Sequence, residues 1–85
     1  MTNMNKELIE MIAEQIHIIW MEERINDGWT YGPNRDDTLR TTPCIVPYDQ
    51  LPEEEKKYDR KTAETVIYAL LGCGYRIIPP GKNHL

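Results

Sequence analysis

Aromatic and arginine residues are concentrated in the middle of the chain, in the stretch GWTYGPNRDDTLRTTPCIVPYDQLPEEEKKYDR that covers residues 28–60. Aromatic rings stack on planar ligands, and guanidinium groups pair with phosphate or carboxylate. The combination predicts a binding site for a small anionic molecule that contains an aromatic ring, such as a nucleotide or a nucleotide-derived signal. The side chains expected to bind this ligand are Trp29, Tyr31, Arg35, Tyr48 and Arg60.

The same aromatic residues have a second, purely structural interpretation. A connection of this length needs a small core of its own if it is to be ordered, and aromatic side chains would supply that core. Trp29 and Tyr48 suit this role well, whereas Tyr31 and Arg35 are less easily used as filler. The sequence leaves both interpretations open.

No residue pattern indicates catalysis or metal binding. The chain contains no serine, and Cys44 and Cys73 lie in apolar or glycine-flanked contexts without a basic neighbour in sequence. His17 and His84 do not form a ligand set at any metal spacing; His17 is expected on a solvated helix surface and His84 in the C-terminal tail. We therefore predict a non-enzymatic protein with no catalytic residues, no metal and no cofactor.

Composition and charge restrict the class of partner and the compartment. A chain of 85 residues is expected to be one domain with a marginal core, and its formal charge of -4 argues against binding to nucleic acid, which requires a basic face. Two cysteines without a paired motif indicate reduced thiols. The polar N-terminus and the lack of a long apolar stretch predict a cytoplasmic protein that does not associate with membranes.

Two helices are predicted to flank the central loop. The first should cover residues 5–27, with Asn3 or Asn5 as its N-cap and Gly28 as its stop. The second should cover residues 60–71, with Asp59 as its N-cap, and the glycines at 72 and 74 should end it. Its apolar stripe is the most regular in the chain and consists of Ala63, Val66, Ile67, Leu70 and Leu71.

The loop itself should contain short ordered pieces. The turn signals on either side of residues 29–31 suggest an extended segment that places Trp29 and Tyr31 on one side, and residues 35–40 suggest an exposed, charged hairpin or bend. Residues 44–46 lie between two prolines, which fits a short edge strand or a polyproline-like strip. One or two turns of helix are expected after Pro52, and a short strand at residues 75–78.

The first helix is apolar on more than one face. One broad face consists of Leu8, Ile12, Ala13, Ile16, Ile19 and Trp20, and a second stripe consists of Met11, Ile18 and Ile25. A second apolar stripe needs a second cover. Either the central loop folds over it, or a second copy of the chain does, which predicts a homodimer.

Several short motifs stand in a fixed order that resembles the ryanodine receptor repeat domain. They are GWTYG, RDD, PCIVPY, LPEEEKKYDR and GCGY, and the resemblance covers roughly residues 17–75. Within it, Trp20, Gly28, Trp29, Tyr31 and Gly32 match the arrangement W-x(8)-W-x-Y-G, while Pro47, Tyr48 and Leu51 match VPY and the leucine that follows it. Tyr58, Asp59 and Arg60 are similar to the YDR of bacterial members.

The resemblance implies a free-standing bacterial single repeat without enzymatic activity. Bacterial repeats of this kind have been proposed as sensors of nucleotide-derived signals, whereas the tandem repeats of the animal calcium-release channels are peripheral interaction modules. The insertion that carries phosphorylation sites in the channel repeats is absent from this chain.

Taken together, the sequence predicts an α+β fold in which two antiparallel helices are bridged by a long ordered loop with short strands. One domain should cover residues 1–85, with a core at about 5–78 and a tail at 79–85. The predicted function is a non-enzymatic module that senses a nucleotide or nucleotide-derived ligand. The alternative is an interaction domain that mediates self-association or protein contacts without a small ligand.

Overall fold

The computed structural model describes residues 3–80 and contains two long helices joined by a loop. Helix α1 spans Asn3–Asn26 and helix α2 spans Glu53–Gly72. Between them lie two short strands, β1 at Thr30–Tyr31 and β2 at Thr41–Thr42, and a single 3-10 turn at Tyr48–Gln50. The expected α+β class, with two helices and a loop that carries short strands, is confirmed.

The two helices pack closely where both present alanine. Ala13 of α1 and Ala63 of α2 are completely buried, and small side chains at a helix crossing allow the two backbones to approach. Contacts run in opposite order along the pair, since His17 lies near Asp59 whereas Met11 shares a groove with Leu71. The core of the domain lies along this contact.

The loop contributes directly to this core. Tyr48 and Leu51 are buried beside the two alanines, and the half-buried side chains packed around this cluster are Ile9, Ile12, Ile16, Cys44 and Val46. The structural interpretation of the loop aromatics therefore holds for Tyr48. On the predicted inner face of α1, the side chains of Leu8, Ile12, Ala13 and Ile16 are buried or half-buried, but Ile19 is exposed.

Each helix is followed, two residues after its last residue, by a glycine with positive φ. At α1, Gly28 has φ 92°, its N–H donates to the Ile25 carbonyl, and the Trp29 N–H donates to the Arg24 carbonyl. At α2, Gly74 has φ 94° and the Tyr75 N–H donates to the Leu70 carbonyl. These are Schellman motifs, which turn the chain back over the last helical turn.

The loop between the helices is organised by a tight hairpin and a pair of parallel strands. Asp36 and Thr41 exchange both backbone hydrogen bonds, which confirms the charged hairpin expected at residues 35–40. Strands β1 and β2 then pair in parallel, with Thr30 opposite Thr41 and Tyr31 opposite Thr42. A Cβ on Gly32 would lie 2.7 Å from the Thr41 Cβ, so this pairing requires a glycine there.

The predicted start of the second helix is wrong. Helix α2 begins at Glu53, immediately after Pro52, and runs through the separate short helix that the sequence suggested. Asp59 is therefore the seventh residue of a continuous helix and does not cap it. Three glutamates in the first turn stabilise the start at Glu53 through the helix dipole.

Three smaller expectations also differ from the structure. Residues 75–78 form no strand. Of the two alternatives for residues 44–46, the edge strand is wrong, and Cys44 and Val46 pack against the core as irregular chain. Asn3 and Asn5 lie inside α1 and do not cap it. The tail beyond residue 80, including His84, lies outside the described residues.

Candidate functional site

A cleft of about 330 Å³ lies between α1, α2 and the loop. Side chains from all three parts of the chain form its walls, so its shape depends on the packing of the whole domain. They are His17, Trp20, Arg24, Arg35, Cys44, Leu51, Glu55, Tyr58 and Asp59.

Along one wall, aromatic rings and guanidinium groups alternate in a continuous stack. The His17 and Trp20 rings are stacked with centres 5.6 Å apart and planes 21° apart. The Arg24 guanidinium lies 5.4 Å from the Trp20 ring centre and 5.4 Å from the Trp29 ring centre, and the Arg35 guanidinium lies 5.4 Å from the Trp29 ring centre. We call these five residues the stacked wall.

The local fold explains why the stacked wall forms. His17, Trp20 and Arg24 are spaced three and four residues apart, so they share one face of α1. The Schellman motif at the end of α1 turns the chain back and brings Trp29 against Arg24. The helix and its cap together therefore set the positions of four of the five members.

Arg24 is available to bind an anion. No carboxylate within the described part of the chain forms a salt bridge with it, although acidic residues outnumber basic ones by 14 to 10 in the sequence. A guanidinium that stacks by its faces keeps its N–H groups at the edge, where they can donate to phosphate or carboxylate oxygens. This end of the cleft is a candidate anion-binding position.

Arg35 reaches the same end of the cleft from the hairpin. Its Nε donates to Asp37 Oδ1 over 2.8 Å, and this hydrogen bond raises the pKa of Arg35 above its ordinary value. Both side chains are exposed, so the ion pair is weak and open to competition from a ligand anion.

The opposite end of the cleft holds a buried histidine beside a carboxylate. The His17 Nε2 lies 2.7 Å from the Val46 carbonyl oxygen, so Nε2 must carry the proton that it donates. The other ring nitrogen, Nδ1, lies 3.9 Å from Asp59 Oδ2. Burial raises the pKa of Asp59, and the nearby Glu55 charge adds to that rise while His17 opposes it. The Asp59 carboxylate can accept a hydrogen bond from an N–H group of a ligand.

The cleft is therefore polarised along its length. Asp59 lies beside His17, whereas Arg24 is seven residues further along α1, which corresponds to about 10 Å of helix. A ligand that spans the cleft would present an anion at one end and an N–H donor at the other.

The remaining walls of the cleft are aromatic or apolar. Tyr58 is 64% exposed and offers a ring for stacking, while Leu51 closes the base. Burial and the neighbouring Glu55 charge raise the pKa of the Cys44 thiol, which keeps it protonated and unreactive at neutral pH.

Two of the predicted ligand-binding residues lie in a different cluster. The Tyr48 hydroxyl donates to Glu10 Oε1 over 3.0 Å, and Arg60 donates to the second oxygen of Glu10 and, over 2.9 Å, to Glu53. These acidic partners raise the pKa of Arg60, and burial together with the Glu10 bond raises the pKa of Tyr48 to about 12. The cluster joins α1, α2 and the 3-10 turn.

The structure thus separates the five predicted residues into groups. Arg35 lines the cleft, and Trp29 stacks against Arg24 and Arg35 without being one of the lining residues. Tyr48 and Arg60 belong to the structural cluster around Glu10. Tyr31 is 58% exposed on β1 and is not among the cleft residues.

Sequence reasoning missed the α1 and α2 residues of the cleft, which are His17, Trp20, Arg24, Tyr58 and Asp59. The expectation that His17 is a solvated residue is wrong, because the Val46 segment covers it and accepts its hydrogen bond. One signal was present in the sequence. The spacing of His17, Trp20 and Arg24 at i, i+3 and i+7 places two aromatic groups and a cation on one face.

No helix within residues 3–80 is long and apolar enough to cross a bilayer. The same residues contain no group of three or more histidine, cysteine, aspartate or glutamate side chains arranged to hold a metal ion.

The chain matches the family model described as the RyR domain over residues 1–79. The matched region includes both helices, the hairpin and the whole of the cleft. It contains the motifs GWTYG, PCIVPY and LPEEEKKYDR, and it leaves only six residues unmatched. The chain belongs to the RyR domain family.

Proposed function

We propose that this RyR domain is a non-enzymatic binding module for a small nucleotide-type ligand, which it holds in the cleft between α1, α2 and the loop. The observation that carries the proposal is the stacked wall, where the Arg24 guanidinium contacts the indole rings of both Trp20 and Trp29. Arg24 has no acidic partner among the described residues. Cationic edges beside aromatic faces suit a molecule with both an anionic group and a planar ring.

The Asp59 end of the cleft restricts which bases the ligand can carry. The Asp59 carboxylate is a hydrogen-bond acceptor, so it favours a base with an exocyclic amine or a ring N–H. A ligand without a donor at that position would leave a partly buried carboxylate without a ligand partner, which costs binding free energy.

The size of the cleft favours a mononucleotide. Its volume of about 330 Å³ is near the lower limit of about 300 Å³ for small-molecule sites. A larger ligand such as ADP-ribose would bind with one half inside the cleft and the other half over the exposed side chains of Tyr58 and Arg35 at its edge.

The absence of an activated nucleophile supports a binding role and not a catalytic one. The sequence has no serine, and the raised pKa of the Cys44 thiol leaves little thiolate at neutral pH.

A thermal and calorimetric screen tests the proposal directly. The panel contains AMP, GMP, CMP, UMP, IMP, ADP-ribose, adenosine and inorganic phosphate, each at millimolar concentration. A ligand at 100 times its dissociation constant stabilises the fold by about 2.7 kcal/mol, which corresponds to a rise in melting temperature of about 10 °C or more for a domain of this size.

Four variants show whether the ligand binds where we propose. Arg24→Gln and Arg35→Gln should each weaken mononucleotide binding about 10- to 100-fold, because each removes a charge-assisted hydrogen bond. Asp37→Asn should strengthen binding, since it frees Arg35 from its ion pair. Lys61→Gln is the matched control, because this substitution removes the same single charge at a side chain that is 76% exposed and lies outside the cleft.

Specific results would contradict the proposal. Absence of binding by every member of the panel would exclude a nucleotide ligand. Adenosine that binds as well as AMP, with no effect from Arg24→Gln, would exclude the anion-binding position. Equal affinity for AMP and for purine riboside 5′-monophosphate, a further panel member that has neither an amine nor a ring N–H, would exclude donor recognition by Asp59.

A second candidate function, an interaction domain, is favoured by a separate observation. A groove at the other end of the helix pair is lined almost entirely by apolar side chains, several of which are exposed. That groove does not overlap the cleft, so both functions can coexist.

A further inference from the structure

An apolar groove lies where the N-terminal half of α1 meets the C-terminal half of α2. Its volume is about 550 Å³, larger than that of the cleft, and residues 77–80 form its third wall. Glu7 is the single charged residue among those that line it. The apolar side chains of the two helices and the C-terminal segment that form it are Leu8, Met11, Ile67, Leu71, Ile77 and Ile78.

Much of this apolar surface is exposed. Met11 is 56% exposed, Leu71 47%, Ile77 40% and Ile78 73%, and the adjoining Leu70 and Tyr75 are 41% and 65% exposed. Tyr75 adjoins Leu70 because its N–H donates to the Leu70 carbonyl in the helix cap. Contiguous exposed apolar surface of this kind commonly marks an interaction site.

We propose that this groove is the interface of a symmetric homodimer, in which residues 75–80 of each copy lie in the groove of the other. A two-fold interface uses the same patch twice, so a groove with an adjacent apolar ridge can be complementary to itself. A standard interface buries about 800 Å² on each partner. The six apolar residues supply most of that area, and the polar residues at their border supply the rest.

The charges at the border of the groove also fit a second copy. Glu7 lies on one wall, and Arg76 precedes the isoleucines of the opposite wall. Neither residue forms a salt bridge within the described part of the chain. In a two-fold arrangement each Arg76 faces the Glu7 of the other copy, so the interface would contain two equivalent ion pairs around an apolar centre.

The proposed interface differs from the α1 stripe that the sequence suggested for a homodimer. Of the stripe on α1, Met11 lines the groove, whereas Ile18 is half-buried and is not among the groove residues. Ile25 is exposed but lies at the other end of α1, 14 residues from Met11. The groove offers a continuous surface that the stripe does not.

Sedimentation equilibrium of the full chain from 1 to 100 µM tests the proposal. The wild type should be a dimer in the upper part of this range, and Ile78→Glu should be a monomer throughout. Leu39→Glu is the matched control, because Leu39 is 70% exposed in the hairpin, far from the groove in the fold. Far-ultraviolet circular dichroism should be unchanged in both variants, since each side chain is exposed in the monomer.

A charge exchange tests the symmetry of the interface. Glu7→Arg and Arg76→Glu should each weaken dimerisation about tenfold, because each places like charges opposite one another. The double variant should restore the wild-type dissociation constant to within about threefold.

Three outcomes would overturn the proposal. A wild type that stays monomeric at 100 µM would exclude the homodimer. A dimer that persists in Ile78→Glu would place the interface elsewhere. A double charge variant no better than the single variants would exclude the Glu7–Arg76 pairing. None of these results affects the nucleotide test, since the cleft and the groove share no residue.

Discussion

At the scale of single residues, Asp59 carries a cost in stability at neutral pH. Burial raises its pKa in the folded state above the ordinary value of about 3.9. A group whose pKa is raised by folding contributes stability below its unfolded pKa and loses that contribution as pH rises through the folded pKa. At pH 7 the charged Asp59 is therefore unfavourable to the fold, which is typical of a residue kept for binding.

Asp59→Asn should stabilise the domain at pH 7, by about 0.5 to 1 kcal/mol, because the amide stays neutral. The gain should disappear near pH 3, where the wild-type carboxyl is neutral as well. Urea denaturation at both pH values measures the difference. Asp49→Asn, which removes the same charge from an exposed aspartate, is the control. Lower stability of Asp59→Asn at pH 7 would mean that the carboxylate has a structural role.

Tyr48 should make stability fall in alkaline solution. Its folded pKa of about 12 lies above the unfolded value of about 10, so its contribution is complete below pH 10 and is lost between pH 10 and 12. Tyr48→Phe should cost about 1 to 2 kcal/mol at pH 8, where it removes the hydrogen bond to Glu10. The difference between wild type and variant should narrow by pH 11 in urea titrations. A constant difference across this range would show that the phenol does not titrate with unfolding.

At the scale of elements, the strand pair holds the hairpin that presents Arg35. Gly32→Ala should destabilise the domain by about 1 to 3 kcal/mol, because the new Cβ would lie 2.7 Å from the Thr41 Cβ. It should also weaken nucleotide binding, since Arg35 follows Gly32 by three residues.

Gly72→Ala is the matched control for this change. Nothing lies within 4 Å of a Cβ at Gly72, and this residue is the last of α2, so alanine should be neutral or slightly stabilising. Thermal melts of the two variants give the comparison. Equal stability of Gly32→Ala and Gly72→Ala would mean that the strand pair adjusts without cost.

The ends of the helices could be predicted from the sequence where neighbouring residues determine them. The extent of α1 was predicted to within two residues at its start and one at its end, because Gly28 is a strong stop signal. Helical turns after Pro52 were predicted, but their continuity with the second helix was missed, because residues 53–58 are polar and show no apolar periodicity. Their helix is stabilised by Arg60 with Glu53 inside α2 and by Lys56 with the Tyr48 ring, and the second contact depends on the loop.

The candidate site was predictable only in part for a similar reason. Trp29 and Arg35 were recognised by residue type, and the structure places both at the stacked wall. Tyr48 and Arg60 have the same residue types, but Glu10, 38 and 50 residues away in sequence, binds both of them into the core. Which aromatic residues face a ligand and which fill a core depends on the path of the loop, and composition does not encode that path.

At the scale of the whole molecule, the domain has a small core and much exposed apolar surface. Only five hydrophobic residues of the described chain are buried, two of them alanines, while thirteen large hydrophobic residues are exposed. A chain of 85 residues at the lower limit of native stability has an unfolding free energy of about 4 kcal/mol. Binding at the cleft or the groove would therefore change its stability by a large fraction.

Dimerisation should make the melting temperature depend on protein concentration. If the folded chain dimerises and the unfolded chain does not, each tenfold rise in concentration above the dissociation constant stabilises each chain by about 0.7 kcal/mol, which corresponds to about 3 to 5 °C for a domain of this size. Ile78→Glu should melt at a temperature independent of concentration, whereas Leu39→Glu should keep the wild-type dependence. A saturating nucleotide should raise the melting temperature of all three proteins by the same amount, because its site is intact in each. The same concentration dependence in Ile78→Glu as in wild type would show that the groove does not form the dimer.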